Sequence, residues 1–351
     1  MSRLMGKKKK PRTTRCLNCL AGALYLFYSS QLVSISPALA GALTDTSRLQ
    51  RKLEAVAKGS DGRVGICAEE MKSGAIACVN GDQRFSLQSV MKLVVGAAAM
   101  DAIDRGQMRL EDVITVRKKD LSLYVQPIAD LVAERGEVRT TVADLISRAI
   151  TESDSAATDL LFARVGGAEG IQTFLKTKKI SGLRVDRDEK HLQTEIVGLI
   201  WRPEYVDADV LDKAIKAVPS GRRDASFAAY LKDERDTATP RGMVTFLSAL
   251  ASGKLLSAKS TAYLLKVMQR TVTFPDRLKA GVPKGWTLGH KTGTSLTWRG
   301  VTAVTNDVGI LTAPDGGTIS VAVFVAESRR SSKERAKVIA ATAKTITSSY
   351  R

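Results

Sequence analysis

The sequence predicts an α+β fold in two lobes: an antiparallel sheet flanked by terminal helices, and an all-helical lobe. A β-hairpin pattern lies near the start of the chain, helical periodicity fills the middle, and strand patterns return near the end. The simplest packing pairs the strands of the two chain ends, 41–85 and 272–351, in one sheet. Residues 86–271 then form the helical lobe. The cleft between two such lobes is a common place for a ligand.

Residues 1–40 have the pattern of a secretory signal peptide. Seven basic residues and no acidic residue are followed by the apolar run 16–35, and 37–40 carries an A-x-A type cleavage signal. The other interpretation is an uncleaved membrane anchor. Cleavage after Ala40 leaves residues 41–351 without a membrane attachment and lowers the net charge from +18 to +11. We expect a secreted protein, periplasmic in a Gram-negative host.

Composition excludes several classes of protein. With 44% hydrophobic and 26% charged residues, the chain is too apolar for a disordered protein and too charged for a polytopic membrane protein. Its two histidines, His191 and His290, exclude multi-histidine zinc sites, and its four cysteines lack zinc-ribbon spacing. The sequence has no basic helical stripe with interleaved aromatic residues, the pattern that would predict a nucleic-acid partner. We expect a monomer that needs no metal and no cofactor.

Two strand patterns, 63–68 and 75–79, predict the N-terminal hairpin. If its two turn residues are the Lys-Ser pair at 72–73, Cys67 faces Cys78 within disulfide reach. Export favours a disulfide. Two buried thiols are the alternative, because a different turn would shift the register.

The other predicted elements follow the same division of the chain. Helical patterns begin with 47–58 and continue through the middle at 89–104, 141–151, 155–165 and 240–251. Strand patterns follow at 287–291, 301–311 and 318–327, before a last helix at 332–346.

Ser89-Val90-Met91-Lys92, at the start of an apolar helix, is the first of three short motifs. A spacing of three places the serine hydroxyl and the lysine amine on one helical face. A helix N-terminus favours a developing oxyanion near Ser89, and apolar neighbours help Lys92 to act as a base. Alone, the motif is equally compatible with an exposed Ser and Lys on a surface helix.

Ser153-Asp154-Ser155, between two helical patterns, is the second motif. A serine at this position can pass a proton to a leaving nitrogen, with Asp154 bracing the turn. Taken alone, the triplet is better explained as a helix N-cap.

Lys291-Thr292-Gly293-Thr294 is the third motif and ends a strand pattern that begins near Thr287. Lysine and hydroxyl groups suit a carboxylate, and Gly293 permits the close approach of an extended ligand. The strand backbone could then bind that ligand as an added strand. A strand that ends in a glycine turn is the simpler explanation of this motif alone.

The three motifs in this order resemble those of the penicillin-recognising serine enzymes, and class A β-lactamases most closely. The resemblance covers most of 45–348, and its most specific block is 233–243. Further matches are Arg84-Phe85, Gly285-Trp286 and Thr305-Asn306-Asp307.

The resemblance implies a role for each motif. Ser89 is the acylated nucleophile, Lys92 is its general-base partner, and Ser153 relays a proton to the β-lactam nitrogen. Lys291 and Thr292 hold the substrate carboxylate.

The resemblance also implies substrate contacts around these motifs. The backbone N–H groups of Ser89 and Thr294 form the oxyanion hole. Arg277 stands where some class A enzymes carry an arginine that supports carboxylate binding, and Tyr124 stands where an aromatic often lines the cleft entrance. Ser155 replaces the usual Asn that contacts the substrate's side-chain amide.

Hydrolysis of the acyl-enzyme needs a water, which class A enzymes orient with a glutamate in a Glu-x-x-Leu-Asn loop. In the matching loop, 184–236, Glu189 is the deacylation base and Gln193 replaces the Asn. Arg187 and Asp236 make the salt bridge that closes this loop. The alternative is that Glu189 is an ordinary solvated acid.

Two further departures from the family concern this loop. Asp159 stands where many members have Asn, and it should change how the helical lobe holds the Glu189 loop. Residues 194–232 are an insertion of 39 residues with six acids and six bases. Apolar residues at helical spacing within 210–218 predict a helix, and four aromatics could pack it down: Trp201, Tyr205, Phe227 and Tyr230. The insertion is either a helical flap over the cleft mouth or a peripheral excursion.

The sequence therefore predicts a secreted, metal-independent serine β-lactamase that acts on small-molecule β-lactams. One alternative is a D,D-peptidase or a homologue acting on another amide or ester. Another is a β-lactam-binding homologue that acylates but turns over slowly. The insertion and Ser155 motivate the first alternative, and the second would follow if the long loop misplaces Glu189. A wall-binding protein without chemistry would require all three motifs by accident.

Overall fold

Ten strands are present in the part of the chain that the computed structural model describes, Leu43 and residues 45–350. They are β1 (Arg63–Glu70), β2 (Ile76–Val79), β3 (Phe85–Ser86), β4 (Val113–Arg117), β5 (Glu137–Thr141), β6 (Thr237–Ala238), β7 (Thr287–Thr294), β8 (Thr297–Trp298), β9 (Val301–Thr312) and β10 (Thr318–Ser328). The predicted signal peptide, 1–40, lies outside the described residues.

The same residues form twelve α-helices. They are α1 (Thr46–Ala57), α2 (Met91–Asp104), α3 (Ile128–Arg135), α4 (Val142–Thr151), α5 (Ser155–Arg164), α6 (Gly167–Thr177), α7 (Glu189–Ile196), α8 (Ala208–Ala217), α9 (Ser220–Lys232), α10 (Pro240–Ala251), α11 (Ala258–Gln269) and α12 (Ser332–Ser349). None of these helices combines the length and apolar character needed to cross a membrane.

The main sheet joins the two ends of the chain. Its strand order is β2-β1-β10-β9-β7, with the short β8 paired to β9, and all neighbours are antiparallel. Helices α1 and α12 pack together on one face, over Ile66, Val321 and Val323. Helix α10 packs on the other face, where Phe85 stacks on Phe324. The predicted α+β fold is confirmed. An antiparallel sheet is flanked by the terminal helices, and the middle of the chain forms a helical region.

Helix α2 is the centre of the helical part. Its residues from Met91 to Ala102 are all buried, because α4, α5, α6 and α11 pack around it. A helix that is hydrophobic all round belongs in a core. The Lys92 side chain is therefore held in place by close packing.

The structure corrects the sequence predictions in three places. Ser89 lies in a 3-10 turn, Gln88–Val90, rather than in the first turn of the α-helix. Strand β7 continues through Thr294, since Gly293 and Thr294 still pair with β9. The middle region is not entirely helical: β4 and β5, with a β-branched run at 113–116, pair in a two-stranded sheet.

Cys67 and Cys78 form a disulfide, so the alternative of two buried thiols is wrong. Strands β1 and β2 place these two residues directly opposite each other, as the predicted register requires. The turn is longer than the predicted two residues. The Glu70 carboxylate accepts hydrogen bonds from the backbone N–H groups of Lys72 at 2.9 Å and Ser73 at 2.8 Å. Gly74 closes the turn with a φ of 70°, a conformation that favours glycine.

Replacing both cysteines by alanine is expected to lower the free energy of unfolding by about 2–3 kcal/mol, because the disulfide closes a short loop. The sequence separation that it spans is 11 residues. Urea denaturation of the oxidised protein and the double variant measures the difference. The reduced protein is the control and should resemble the variant. Equal midpoints with and without a reductant would contradict the prediction.

Residues 194–232 fold as an ordered helical segment. The helix predicted within 210–218 is present as α8, and Tyr205, Phe227 and Tyr230 are buried. Tyr205 and Leu211 pack with Leu123, while Phe227 and Tyr230 join the core around α2.

Candidate active site

Ser89 lies in the turn that leads into α2, against strand β7. Gln88 is buried and has a φ of 47°, so the chain bends sharply just before Ser89. A Cβ atom on Gly293 would come within 2.7 Å of the Leu87 carbonyl oxygen and 3.3 Å of the Ser89 amide nitrogen. Glycine at position 293 therefore lets the β7 backbone lie beside the Ser89 amide.

Lys92, at the start of α2, is 1% exposed. Its Nζ donates to the Ser153 carbonyl oxygen at 2.6 Å and to Ser155 Oγ at 3.1 Å. Nζ also lies 3.3 Å from Oε1 of Glu189, which is 2% exposed. A buried ammonium needs such a counter-charge, since an unpaired buried ion is strongly destabilising. Lys92 thus links the turn of Ser153 to the helix that begins with Glu189.

Ser153 lies in the tight turn between α4 and α5, with a φ of 64°. Asp154 caps α5: its carboxylate accepts hydrogen bonds from the backbone N–H groups of Ala157 at 2.9 Å and Ile128 at 2.8 Å. Burial raises the pKa of the Asp154 carboxyl above its ordinary value. Asp154 therefore braces the turn, as predicted. Ser153 Oγ accepts a hydrogen bond from Lys291 Nζ at 3.1 Å.

Lys291, on β7, is fully buried. Its Nζ also donates to the Thr292 carbonyl oxygen at 2.9 Å. Burial, and then repulsion from Lys92, hold the pKa of the Lys291 ammonium well below its ordinary value. An anion beside Lys291 would offset both effects, because a negative charge favours the protonated amine. This part of the site is suited to a ligand that carries a carboxylate.

Arg277 supports β7 from within the protein and is 1% exposed. Its Nη1 donates to the carbonyl oxygens of Gly293 at 3.1 Å and Asn306 at 2.9 Å, and its Nη2 donates to Thr294 Oγ1 at 2.6 Å. Burial lowers the pKa of the Arg277 guanidinium to about 10. These bonds fix the β7 backbone and orient the Thr294 hydroxyl.

Glu189 begins α7 and is held by hydrogen bonds at both its side chain and its backbone. Its Oε2 accepts from Gln193 Nε2 at 3.2 Å, and the same Nε2 donates to Gln88 Oε1 at 3.0 Å. The Glu189 amide donates to Asp159 Oδ1 at 2.8 Å. Its buried Oε1 accepts no hydrogen bond from the described residues. Glu189 is therefore a buried carboxylate rather than the ordinary solvated acid of the alternative interpretation.

The segment that carries Glu189 is closed by a buried salt bridge. Arg187 Nε lies 2.6 Å from Oδ2 of Asp236, as predicted. The other Asp236 oxygen, Oδ1, accepts from the backbone N–H groups of Asp186 at 2.6 Å and Arg187 at 3.0 Å. Asp233 and Glu195 complete the acidic surroundings of the Arg187 guanidinium, at 3.1 and 2.5 Å.

Comparison with known proteins places this chain in a family. The family model described as "Beta-lactamase enzyme family" matches residues 48–350. The chain belongs to this family. Beta-lactamase VEB-1 of Pseudomonas aeruginosa is 30% identical over 308 residues, which cover 87% of this chain and 91% of that protein. The extended-spectrum β-lactamase PER-1 of the same organism is 29% identical and covers 85% of each chain.

Solved structures agree with the assignment to the β-lactamase family. A β-lactamase from Chitinophaga pinensis matches with a TM-score of 0.70 at 26% identity, over 85% of this chain and 98% of that one. The class A β-lactamase of the last common ancestor of Gram-negative bacteria matches with a TM-score of 0.69 at 30% identity, over 86% and 98%. The class A resemblance predicted from the three motifs is confirmed.

Four of the predicted site residues of this β-lactamase family member form a connected network. Lys92, Ser153, Glu189 and Lys291 are joined by the contacts above. Tyr124 lies outside this network and is 55% exposed. Within residues 45–350, no group of three or more His, Cys, Asp or Glu side chains could hold a metal ion.

Two predicted substrate-binding residues have protein partners as well. Ser155 Oγ accepts a hydrogen bond from Lys92 Nζ at 3.1 Å, so this hydroxyl is directed at the buried lysine. Thr292 Oγ1 lies 2.7 Å from Thr273 Oγ1.

Sequence reasoning missed a contact between the 194–232 segment and the Ser89 turn. The Tyr230 hydroxyl lies 2.7 Å from Ser86 Oγ and accepts a hydrogen bond from Gln88 Nε2. Burial raises the pKa of Tyr230 to about 12, so its hydroxyl stays protonated. Gln88 thereby connects Tyr230 to Gln193. The signal available in the sequence was the polar residue Gln88 at the start of an otherwise apolar helical pattern.

The Asp159 carboxyl should make the stability of this β-lactamase family member pH-dependent. Burial, and then repulsion from Asp188, raise its pKa from 3.8 to about 7. The folded protein therefore binds the proton more tightly than the unfolded chain. As a result, this group contributes most to stability below pH 4, and the contribution is lost as the pH rises from about 4 to about 7.

Asp159→Asn should remove this slope, because an amide does not titrate in this pH range. Its amide oxygen can still accept from the Glu189 backbone N–H, so the local structure is kept. Thermal unfolding at pH 5 and pH 7.5 measures it: the variant gains stability relative to the natural protein at the higher pH. Exposed Asp209→Asn is the matched control and should leave the pH dependence unchanged. Parallel curves for the natural protein and Asp159→Asn would contradict the prediction.

Proposed function

We propose that this protein is a secreted serine β-lactamase that hydrolyses the β-lactam amide through an acyl-enzyme on Ser89. The observation that carries the proposal is the position of Lys92. Lys92 follows Ser89 by three residues. Its buried ammonium contacts both the Ser153 turn and the Glu189 carboxylate. A nucleophile, an amine and a carboxylate thus meet in one site, as acylation followed by hydrolysis requires.

Substrate binding is assigned to strand β7. The carboxylate of the β-lactam binds Lys291 and Thr292, where it compensates the buried positive charge. The carbonyl oxygen binds the backbone N–H groups of Ser89 and Thr294, whose strand and turn lie in contact through Gly293. Arg277 acts by holding the Thr294 hydroxyl and the β7 backbone.

Acylation opens the lactam ring. Ser89 Oγ attacks the carbonyl carbon and gives up its proton to the Lys92–Glu189 pair. The C–N bond then breaks, and the ring nitrogen takes a proton through Ser153 Oγ. The contact between Ser153 Oγ and Lys291 Nζ supports this relay, since it orients the hydroxyl. The result is an ester on Ser89.

Deacylation needs a water activated by Glu189. Its buried Oε1 is ion-paired with Lys92 Nζ at 3.3 Å but accepts no hydrogen bond from the described residues, so a lone pair remains to take a proton from water. Gln193 holds the other oxygen, Oε2, and is itself held by Gln88. The water attacks the ester carbonyl and releases the Ser89 hydroxyl.

The proposal includes export of the protein by residues 1–40. Mass spectrometry of the exported protein should give an N-terminus at residue 41, after Ala40. A mature protein that begins at Met1 would contradict cleavage.

The function is tested by the steady-state hydrolysis of benzylpenicillin. The natural protein should open many equivalents of the ring per enzyme. Ser89→Ala should consume none above the uncatalysed rate while keeping the unfolding midpoint. Absence of turnover in the folded natural protein would contradict the proposal and favour the D,D-peptidase or slow-turnover alternative.

A further inference from the structure

Helix α9 of the 194–232 segment carries Tyr230 to the turn that leads to Ser89. The Tyr230 side chain is buried, and its ring joins the core around α2. Its hydroxyl accepts a hydrogen bond from Gln88 Nε2 and lies 2.7 Å from Ser86 Oγ. Because Gln88 directly precedes Ser89, the segment contacts the turn of the proposed nucleophile.

A chain of side-chain hydrogen bonds continues from Tyr230 to the Glu189 carboxylate. Gln88 Oε1 accepts from Gln193 Nε2 at 3.0 Å, and the same nitrogen donates to Glu189 Oε2 at 3.2 Å. Among the described residues, the Glu189 carboxylate has two polar partners, Gln193 and Lys92. The position of Oε2 therefore depends on where Gln193 is held.

The negative charge of Glu189 sets the direction of every bond in this chain. A carboxylate only accepts, so Gln193 must present its amide nitrogen. That nitrogen also donates to Gln88, which must present its amide oxygen. The nitrogen of Gln88 then needs an acceptor, and the Tyr230 hydroxyl is that acceptor. Burial raises the pKa of Tyr230 to about 12, so the hydroxyl stays neutral and keeps its own proton for Ser86.

Loss of the Tyr230 hydroxyl would leave the Gln88 amide nitrogen without an acceptor. Gln88 is 1% exposed, and an unpaired buried donor is costly. The amide can regain a partner only by moving, which withdraws its oxygen from Gln193. Gln193 then loses the contact that holds its nitrogen beside Glu189. A general base that is misplaced loses rate, because the water must lie within reach of both the base and the ester.

We propose that Tyr230 is a positioning residue for deacylation, which acts through Gln88 and Gln193 to hold the Glu189 carboxylate in place. The 194–232 segment thereby takes part in the hydrolytic step and is not a peripheral excursion. This inference rests on the proposed β-lactam hydrolysis and adds a residue outside the three motifs to it.

The test is Tyr230→Phe, which removes the hydroxyl and keeps the ring in the core. Rapid mixing with benzylpenicillin, followed by intact-mass spectrometry, gives the rate of acylation and the lifetime of the acyl-enzyme. The lifetime should lengthen about tenfold, less than the roughly 10²-fold that a misplacement of 1 Å can cost. The ratio kcat/KM, which reports the steps up to acylation, should stay unchanged while kcat and KM fall together.

Tyr205→Phe is the matched control. Tyr205 is a buried tyrosine of the same segment, and its hydroxyl has no hydrogen-bond partner among the described residues. The lifetime of the acyl-enzyme should be unchanged in this variant.

Gln88→Met interrupts the same chain one step closer to Glu189, with a side chain of similar size. It should also lengthen the lifetime of the acyl-enzyme. Adding Tyr230→Phe to it should lengthen the lifetime little further, since residues of one hydrogen-bond network are not additive. Fully additive effects would overturn the inference, by showing that Tyr230 does not act through Gln88.

Two further results would overturn the positioning role of Tyr230. If its hydroxyl only stabilised the fold, Tyr230→Phe would lower the unfolding midpoint and leave the lifetime of the acyl-enzyme unchanged. An equal lengthening in Tyr205→Phe would show a general loosening of the segment. In both cases the natural protein still turns over benzylpenicillin, so the proposed function stands. If the natural protein forms no acyl-enzyme and consumes no benzylpenicillin, the proposed function fails and this inference fails with it.

Discussion

Glu189→Gln is expected to convert the protein from a turnover enzyme into one that stays acylated. The substitution keeps the size of the side chain and an oxygen that can accept from Gln193. It removes the group that takes a proton from water, so hydrolysis of the Ser89 ester loses its base. General-base catalysis contributes 10²- to 10⁴-fold, and we expect kcat to fall about 10³-fold.

Acylation should continue in this variant. Ser89 and Ser153 are unchanged, and without the Glu189 charge beside it Lys92 loses its proton more readily and can accept the proton of Ser89. Rapid-mixing measurements with benzylpenicillin should therefore give a burst of one equivalent followed by slow turnover. Glu169→Gln, at an exposed position on α6, is the control and should turn over normally. Normal turnover in Glu189→Gln would refute the role assigned to this carboxylate.

Asp236→Ala is expected to lower the free energy of unfolding by about 3–5 kcal/mol, since it removes the carboxylate that pairs with the buried Arg187 guanidinium. Asp236 is fully buried and contacts Arg187 Nε at 2.6 Å. The alanine also leaves two backbone N–H groups without their acceptor, those of Asp186 and Arg187. Urea denaturation measures the loss.

Two controls separate the causes of this loss of stability. Asp236→Asn keeps an acceptor and suits the positive φ of 51°, so it should cost clearly less than the alanine. Asp82→Ala removes an exposed partner of Arg241 and should cost less than about 1 kcal/mol. A loss in Asp236→Ala no larger than that in Asp82→Ala would contradict the account of a buried, closing salt bridge.

The resemblance carried by the three motifs together, and not the spacing within any one of them, predicted which residues form the candidate site. The order of the three motifs gave the serine, the lysines and the strand, and the hairpin register placed Cys67 opposite Cys78. The Arg187–Asp236 pair was also predictable, because both residues lie in a loop with a specific resemblance. The hairpin register depends on a short stretch of chain, whereas the Arg187–Asp236 pair joins residues 49 positions apart and was predictable only through the resemblance.

Features that depend on tertiary contact were not predictable in the same way. The Tyr230–Gln88 contact joins residues 142 positions apart, and no periodicity connects them. The continuation of β7 through Thr294 depends on its pairing with β9 and on the support of Arg277, which a single strand pattern does not contain. The raised pKa of Asp159 likewise arises from burial and from Asp188, which only the folded chain brings close.

Intact-mass spectrometry over time tests the central claim most directly. The purified protein is mixed with benzylpenicillin, and the mass of the protein is followed beside the loss of substrate. The account predicts a transient adduct of one penicillin, absent in Ser89→Ala, that disappears as many equivalents are consumed. A persistent adduct without turnover, or turnover that survives Ser89→Ala, would contradict it.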